Sequence, residues 1–193
     1  MILSQQSLHH RCKFQDMITP YVDHQVRGDR IISYGLSSFG YDVRCVNQFK
    51  IFNPPTWVHG NPYQPEDCID PTNFDPELVF DVDTQGSPLF LPGHGYALTC
   101  TLETFKMPRD LFALVIGKST LARCGLLINA TPLEPGWEGQ ITLELANLTH
   151  RAILVHPNMG IAQVVFFQGD AIPDRVYDDT RKYQKQVGIV LPR

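Results

Sequence analysis

From Arg30 onward the apolar residues fall in short runs, alternating or β-branched and aromatic, cut by glycine, proline and small polar residues. The first runs cover 31–34, 41–46 and 49–52, with Gly35, Ser37-Ser38 and Gly40 between them. A stretch over 53–78 holds Pro54, Pro55, Pro62, Pro65, Pro71 and Pro76 and is expected as a long surface loop. Strands are then predicted over 88–91, 96–103, 111–116, 126–130, 140–147, 152–155 and 161–168, with turns at Pro92-Gly93 and Pro157-Asn158-Met159-Gly160. Only residues 4–14 carry a helical signal, with Ser4 as cap and Leu8 and Cys12 on one face, and Asp16 to Pro20 ends it. Many short strands and almost no helix predict an all-β barrel or sandwich.

One run has chemistry on one face. In Ile141-Thr142-Leu143-Glu144-Leu145 the three aliphatic side chains point one way and Thr142 and Glu144 the other. A hydroxyl and a carboxylate thus share a surface just after the Pro135-Gly136-Trp137-Glu138-Gly139 turn. Upstream, Gly117-Lys118-Ser119-Thr120-Leu121-Ala122-Arg123-Cys124-Gly125 sets two hydroxyls and two cations beside glycines, a composition suited to a polyanion. If Ser119 caps a short helical turn, its hydroxyl and the free backbone N–H groups face one anion, and Arg123 returns to that face four residues later. A P-loop is excluded, because the glycine it requires five positions before Gly117 is Phe112.

Composition narrows the classes. The chain has 193 residues, 43% of them hydrophobic, enough for one core and expected as a single domain over 1–193. Residues 1–30 form its helical or extended N-terminal segment and the polar residues 170–193 its tail. A net charge of −4 gives no reason to expect nucleic acid or an anionic membrane surface. Five cysteines without C-x-x-C spacing argue for a reducing compartment, and against a disulfide framework or a structural zinc site. No apolar run reaches membrane-spanning length and no secretory pattern opens the chain, so the expected location is the cytoplasm.

The segments Gly-Lys-Ser-Thr-x-Ala-Arg-Cys-Gly (117–125), Thr-Pro-Leu-Glu-Pro-x-Trp-Glu-Gly (131–139) and Thr-Leu-Glu-x-x-Asn (142–147) resemble the dCTP deaminase family of the trimeric dUTPase-like superfamily. The likeness runs from about Ile31 to Gly188. It implies a distorted, jelly-roll-like β-barrel of the dUTPase type, a homotrimer with sites between subunits, and dCTP entering as its Mg²⁺ complex. It also implies conversion of dCTP to dUTP and ammonia, and dTTP as a candidate inhibitor. By the same resemblance Glu144 is the catalytic acid and base, Arg123 and Ser119 assist it, and Lys118, Ser119, Thr120, Leu121, Ala122 and Arg123 line the triphosphate and base sites. Trp137, Thr142, Leu143 and Gln163 would contact the nucleotide, and the tail would fold over it through Tyr177, Lys182 and Gln186.

The chemistry agrees with that assignment. Replacing the amine at C4 of cytosine needs a base for water and an acid for ring N3 and the departing ammonia, which one carboxylate of raised pKa can supply. The zinc deaminases use H-x-E and P-C-x-x-C instead, and neither occurs here, so zinc is not expected. Two alternatives stand beside this reading. A dUTPase, alone or fused with deamination, would place an Asp and usually a Tyr in a G-x-I-D-x-x-Y turn, where this chain has Leu133-Glu134-Pro135-Gly136-Trp137. A non-catalytic nucleotide-binding trimer would be expected to have lost Ser119, Arg123 or Glu144.

Overall fold

The computed structural model describes residues 1–53 and 68–193. Of the loop predicted over 53–78, residues 54–67 lie outside the described residues. Strands β1 (Ile18–Thr19), β5 (Gln48–Phe52), β6 (Val79–Asp83), β8 (Tyr96–Lys106), β10 (Leu126–Asn129) and β11 (Glu138–Asn147) form a six-stranded sheet, ordered β10-β11-β8-β5-β6 with β1 on β8. Strands β2 (Gln25–Gly28), β3 (Ile31–Ser37), β4 (Gly40–Arg44), β13 (Gly160–Gln168) and β9 (Leu111–Gly117) form a five-stranded sheet in that order. A two-stranded ribbon pairs β7 (Leu89–Leu91) with β12 (Ile153–Val155). The two large sheets share one core, where Phe105 of β8 stacks on Phe166 of β13 with ring centroids 6.4 Å apart. An isolated bridge Cys45–Thr101 ties one sheet to the other, and Ala113–Leu133 ties β9 to the chain between β10 and β11. Among the described residues the fold is all-β apart from two α-helices and a 3-10 turn at Pro76–Leu78, the class its sequence predicts.

Helix α1 (Gln5–Gln15) sits where the polar–apolar pattern placed it, burying Leu8 and Cys12, although Ser4 makes no side-chain cap bond. It is held from outside by Arg11, whose guanidinium meets both Asp110 carboxylate oxygens at 3.1 and 2.6 Å. Three strands differ from the sequence reading. β1, β2 and β6 were not predicted, being two to five residues long and, in β6, without alternating burial, since only Val79 and Val82 are partly covered. Strand β8 has the opposite character. It is buried without interruption from Ala97 to Thr101, so its polar residues need internal partners. Thr99 donates to the Gln48 carbonyl at 3.0 Å and Thr101 to that of Glu103 at 2.7 Å. Glu103, fully buried, takes Arg44 Nε at 2.8 Å and the Arg44 backbone N–H at 2.9 Å. Among the described residues no helix is long and apolar enough to cross a membrane.

Candidate active site

The hairpin of β10 and β11 carries the carboxylate. Burial along β11 alternates strictly, with Ile141, Leu143 and Leu145 in the core and Thr142 and Glu144 half-exposed on the other face. Antiparallel register puts Asn129 of β10 opposite Glu144 and Leu98 of β8 opposite it on the other side. Asn129 Nδ2 donates to Glu144 Oε2 at 3.0 Å. Burial raises the Glu144 pKa above the ordinary carboxylate value; the Asn129 bond and a backbone bond pull the other way. Tyr96, next along β8 on that face, also titrates high, mainly through burial and partly through the Glu144 charge.

Between β10 and β11 the chain makes an excursion over 130–137. It is pinned by the Ala113–Leu133 backbone pair, at 3.0 and 2.9 Å. It ends in a turn in which Trp137 N–H donates to the Glu134 carbonyl at 3.1 Å. The tail then docks on this turn and on the start of β11. Trp137 Nε1 donates to the Tyr183 carbonyl at 2.9 Å, and Gln184 bridges the Glu138 N–H (2.9 Å) and the Gly136 carbonyl (3.0 Å). Gln186 Nε2 reaches the Gln140 carbonyl at 2.5 Å and Thr142 Oγ1 at 3.4 Å. Glycine is required twice for this approach. Gly136 (φ +84) and Gly139 (φ +145) adopt left-handed backbone, and a Cβ on either would lie 2.8 Å from a tail carbonyl, of Tyr177 or Gln186 respectively.

Strand face, excursion and tail enclose a cavity of about 490 Å³ with Glu144 in its wall, within the size range of small-molecule sites, about 300–1,000 Å³. Of the residues expected at the site it gathers Glu144, Thr142, Trp137, Tyr177 and Gln186. It adds groups the sequence reading missed: Tyr96 and Leu98 from β8, Ile69 and Phe74 from the stretch before β6, and Tyr183 from the tail. No lysine or arginine lines it among the described residues. The wall is therefore apolar with a few convergent polar groups, where a desolvated carboxylate is a strong proton acceptor and, once protonated, is stable.

The remaining expected residues lie elsewhere in this chain. Helix α2 spans Ser119–Arg123, so Lys118, not Ser119, is its N-cap, and no side chain makes a cap bond. The correction follows from backbone: Lys118 keeps the extended conformation of β9, which an N-cap requires. Ser119, Thr120, Ala122 and Arg123 are exposed, whereas Leu121 and Leu143 point into the core. Lys118 Nζ lies 2.6 Å from Asp42 Oδ2 and 3.3 Å from Ser33 Oγ. Gln163, cross-strand from Asp42, donates to Ser37 Oγ at 3.0 Å. Lys182 Nζ donates to the Arg193 carbonyl at 2.6 Å. No cluster of three or more His, Cys, Asp or Glu able to hold a metal ion occurs among the described residues.

The family model described as dCTP deaminase-like matches residues 2–169. The chain belongs to the dCTP deaminase-like family. Among this family's curated members, a dCTP deaminase of Herpetosiphon aurantiacus is 48% identical over 178 residues, which cover 92% of this chain and 90% of that one. A dCTP deaminase of Campylobacter hominis is 48% identical over 178 residues (92% and 87%), and one of Helicobacter pylori is 46% identical over 179 (92% and 89%). Among solved structures, the 2'-deoxycytidine 5'-triphosphate deaminase of Agrobacterium tumefaciens superimposes with a TM-score of 0.62 at 15% identity. That match covers 87% of this chain and 48% of the other, so the chain spans about half of that structure's length, and the likeness is one of fold.

Proposed function

We propose that this chain deaminates dCTP to dUTP and ammonia, with Glu144 as the proton shuttle. The observation that carries the reading is a half-buried carboxylate of raised pKa, held by one amide in the wall of an apolar cavity of nucleoside size. With cytosine in that cavity, Glu144 takes a proton from water as the oxygen adds to C4. It passes that proton to N3, then takes the remaining proton from the new C4 hydroxyl and delivers it to the amine, which leaves as ammonia while the C4 carbonyl forms. Water is thereby consumed and no metal is needed to activate it; Mg²⁺ travels with the triphosphate as part of the substrate.

The nucleotide site is completed between subunits of a homotrimer. Two observations support this. A triphosphate demands cations, yet the cavity wall has none among the described residues. Meanwhile Ser119, Thr120 and Arg123, whose types suit a polyanion, stand exposed on α2 outside that cavity. A neighbouring copy's α2 would bring Arg123 to the base end, where its planar fork of donors stabilises charge developing at C4. The tail, already docked through Trp137 and Gln186, closes the sugar side, and dTTP, with the same sugar and phosphates, competes for the site. Incubating the protein with dCTP and Mg²⁺ and identifying the products tests the reading. Ammonia in equal amount to dUTP is expected, whereas dUMP with pyrophosphate would make the chain bifunctional and no turnover would leave it a binding protein.

A further inference from the structure

Asn129 is the last residue of β10 and stands directly across the ladder from Glu144, so both side chains leave the same face of the sheet. Its amide Nδ2 donates to Oε2 at 3.0 Å, the one side-chain hydrogen bond this carboxylate receives from the described residues. The geometry points to Asn129 as the positioning residue for Glu144: it occupies Oε2 with a neutral donor and leaves Oε1 to accept the proton from water. This assignment rests on Glu144 being the proton shuttle, as proposed above.

The residue type fits that task. A lysine or arginine opposite Glu144 would hold the carboxylate ionised too firmly for it to carry a proton, and an aspartate would compete for the same proton. An amide favours the ionised form without adding charge. The other titratable groups facing the cavity are Tyr96 on β8, Glu134 in the excursion, and Tyr177 and Tyr183 in the tail. None of them is a cation, so nothing on those elements offsets the burial that pushes Glu144 up. Asn129 is itself exposed and fills no core position, which separates its contact with Glu144 from a packing role.

Asn129→Leu keeps the size and removes the donor. Turnover of dCTP at neutral pH is expected to fall about tenfold, the scale of one hydrogen bond to a charged group, with KM little changed. The acid limb of the kcat–pH profile moves to higher pH, because a carboxylate without its donor is protonated more readily. Asn129→Asp should lose more, since two carboxylates across one rung cannot both ionise freely. A ¹³C titration of the Glu144 carboxyl, identified by its absence in Glu144→Gln, reads the contact without turnover, and an upward move in Asn129→Leu is expected. Should the leucine variant fold poorly, Asn129→Ser carries the same expectation. An unmoved titration and pH profile would overturn the assignment, even if the melting temperature changed. A fully active Glu144→Gln would instead overturn the shuttle itself, and Asn129's part in catalysis with it.

Discussion

Lys118 separates a structural from a ligand-binding role by a measurable energy. Its ammonium lies 2.6 Å from Asp42, and the two side chains are 12% and 4% exposed, so the pair is buried. Asp42 has one other side-chain donor among the described residues, Gln25 Nε2 at 2.8 Å. Lys118→Met keeps the apolar stem and leaves the carboxylate with that amide alone. Removing one partner of a buried pair costs about 3–5 kcal/mol. The surviving amide bond places the loss at the lower end, about 3 kcal/mol. At about 2–4 °C per kcal/mol for a chain of this size, the melting temperature should fall by about 6–12 °C. Asp42→Asn strands the ammonium and should cost a similar amount, while the double variant recovers part of the loss. A double-mutant cycle by calorimetry should therefore give a coupling of about 2 kcal/mol, within the usual range for contacting residues. If both single variants melt within about 1 °C of wild type, a shift of under half a kcal/mol, and no coupling appears, the pair is not holding α2 on β4. Lys118 would then be free for phosphate.

If sites are shared between subunits, mixing Arg123→Ala with Glu144→Gln after unfolding and refolding together should regain activity that neither variant has alone. Failure of every mixture would place both residues in one chain's site. A zinc-selective chelator should leave dCTP turnover unchanged with Mg²⁺ in excess, and tightly bound zinc lost together with activity would contradict that. Trp137→Phe removes the Nε1 bond to Tyr183, so KM for dCTP should rise several-fold, by about the 1 kcal/mol of one neutral hydrogen bond. The tail should also be cut faster by protease, and unchanged KM and cleavage would mean the tail is held by other contacts.

What could be read in advance is what depends on local pattern. β11 was legible because one face is fully buried, so aliphatic and polar residues had to alternate around Glu144. β6 was not, because its burial does not alternate: its two partly covered residues, Val79 and Val82, are three apart and so on opposite faces, and Phe80 is exposed. Residues such as Asn129 and Asp42 owe their positions to register: Lys118 and Asp42 are 76 residues apart in sequence, and no local signal joins them. The docked tail was expected only from the family resemblance. By local pattern Gln184 and Gln186 read as solvated polar residues, yet their amides satisfy backbone groups of the turn and of β11. Gly136 and Gly139 did mark the place in the sequence, as turn residues; that they also admit the tail backbone needed the third dimension.

The central claim is that Glu144 moves the protons of dCTP deamination. Its most direct test is steady-state turnover of dCTP by wild type and Glu144→Gln, with dCTP binding measured alongside. The wild-type chain should release dUTP and ammonia. Glu144→Gln should bind dCTP nearly as well and lose at least the roughly 10²–10⁴-fold that general acid–base catalysis contributes. A glutamine variant that still turns over within a few-fold of wild type would contradict the account.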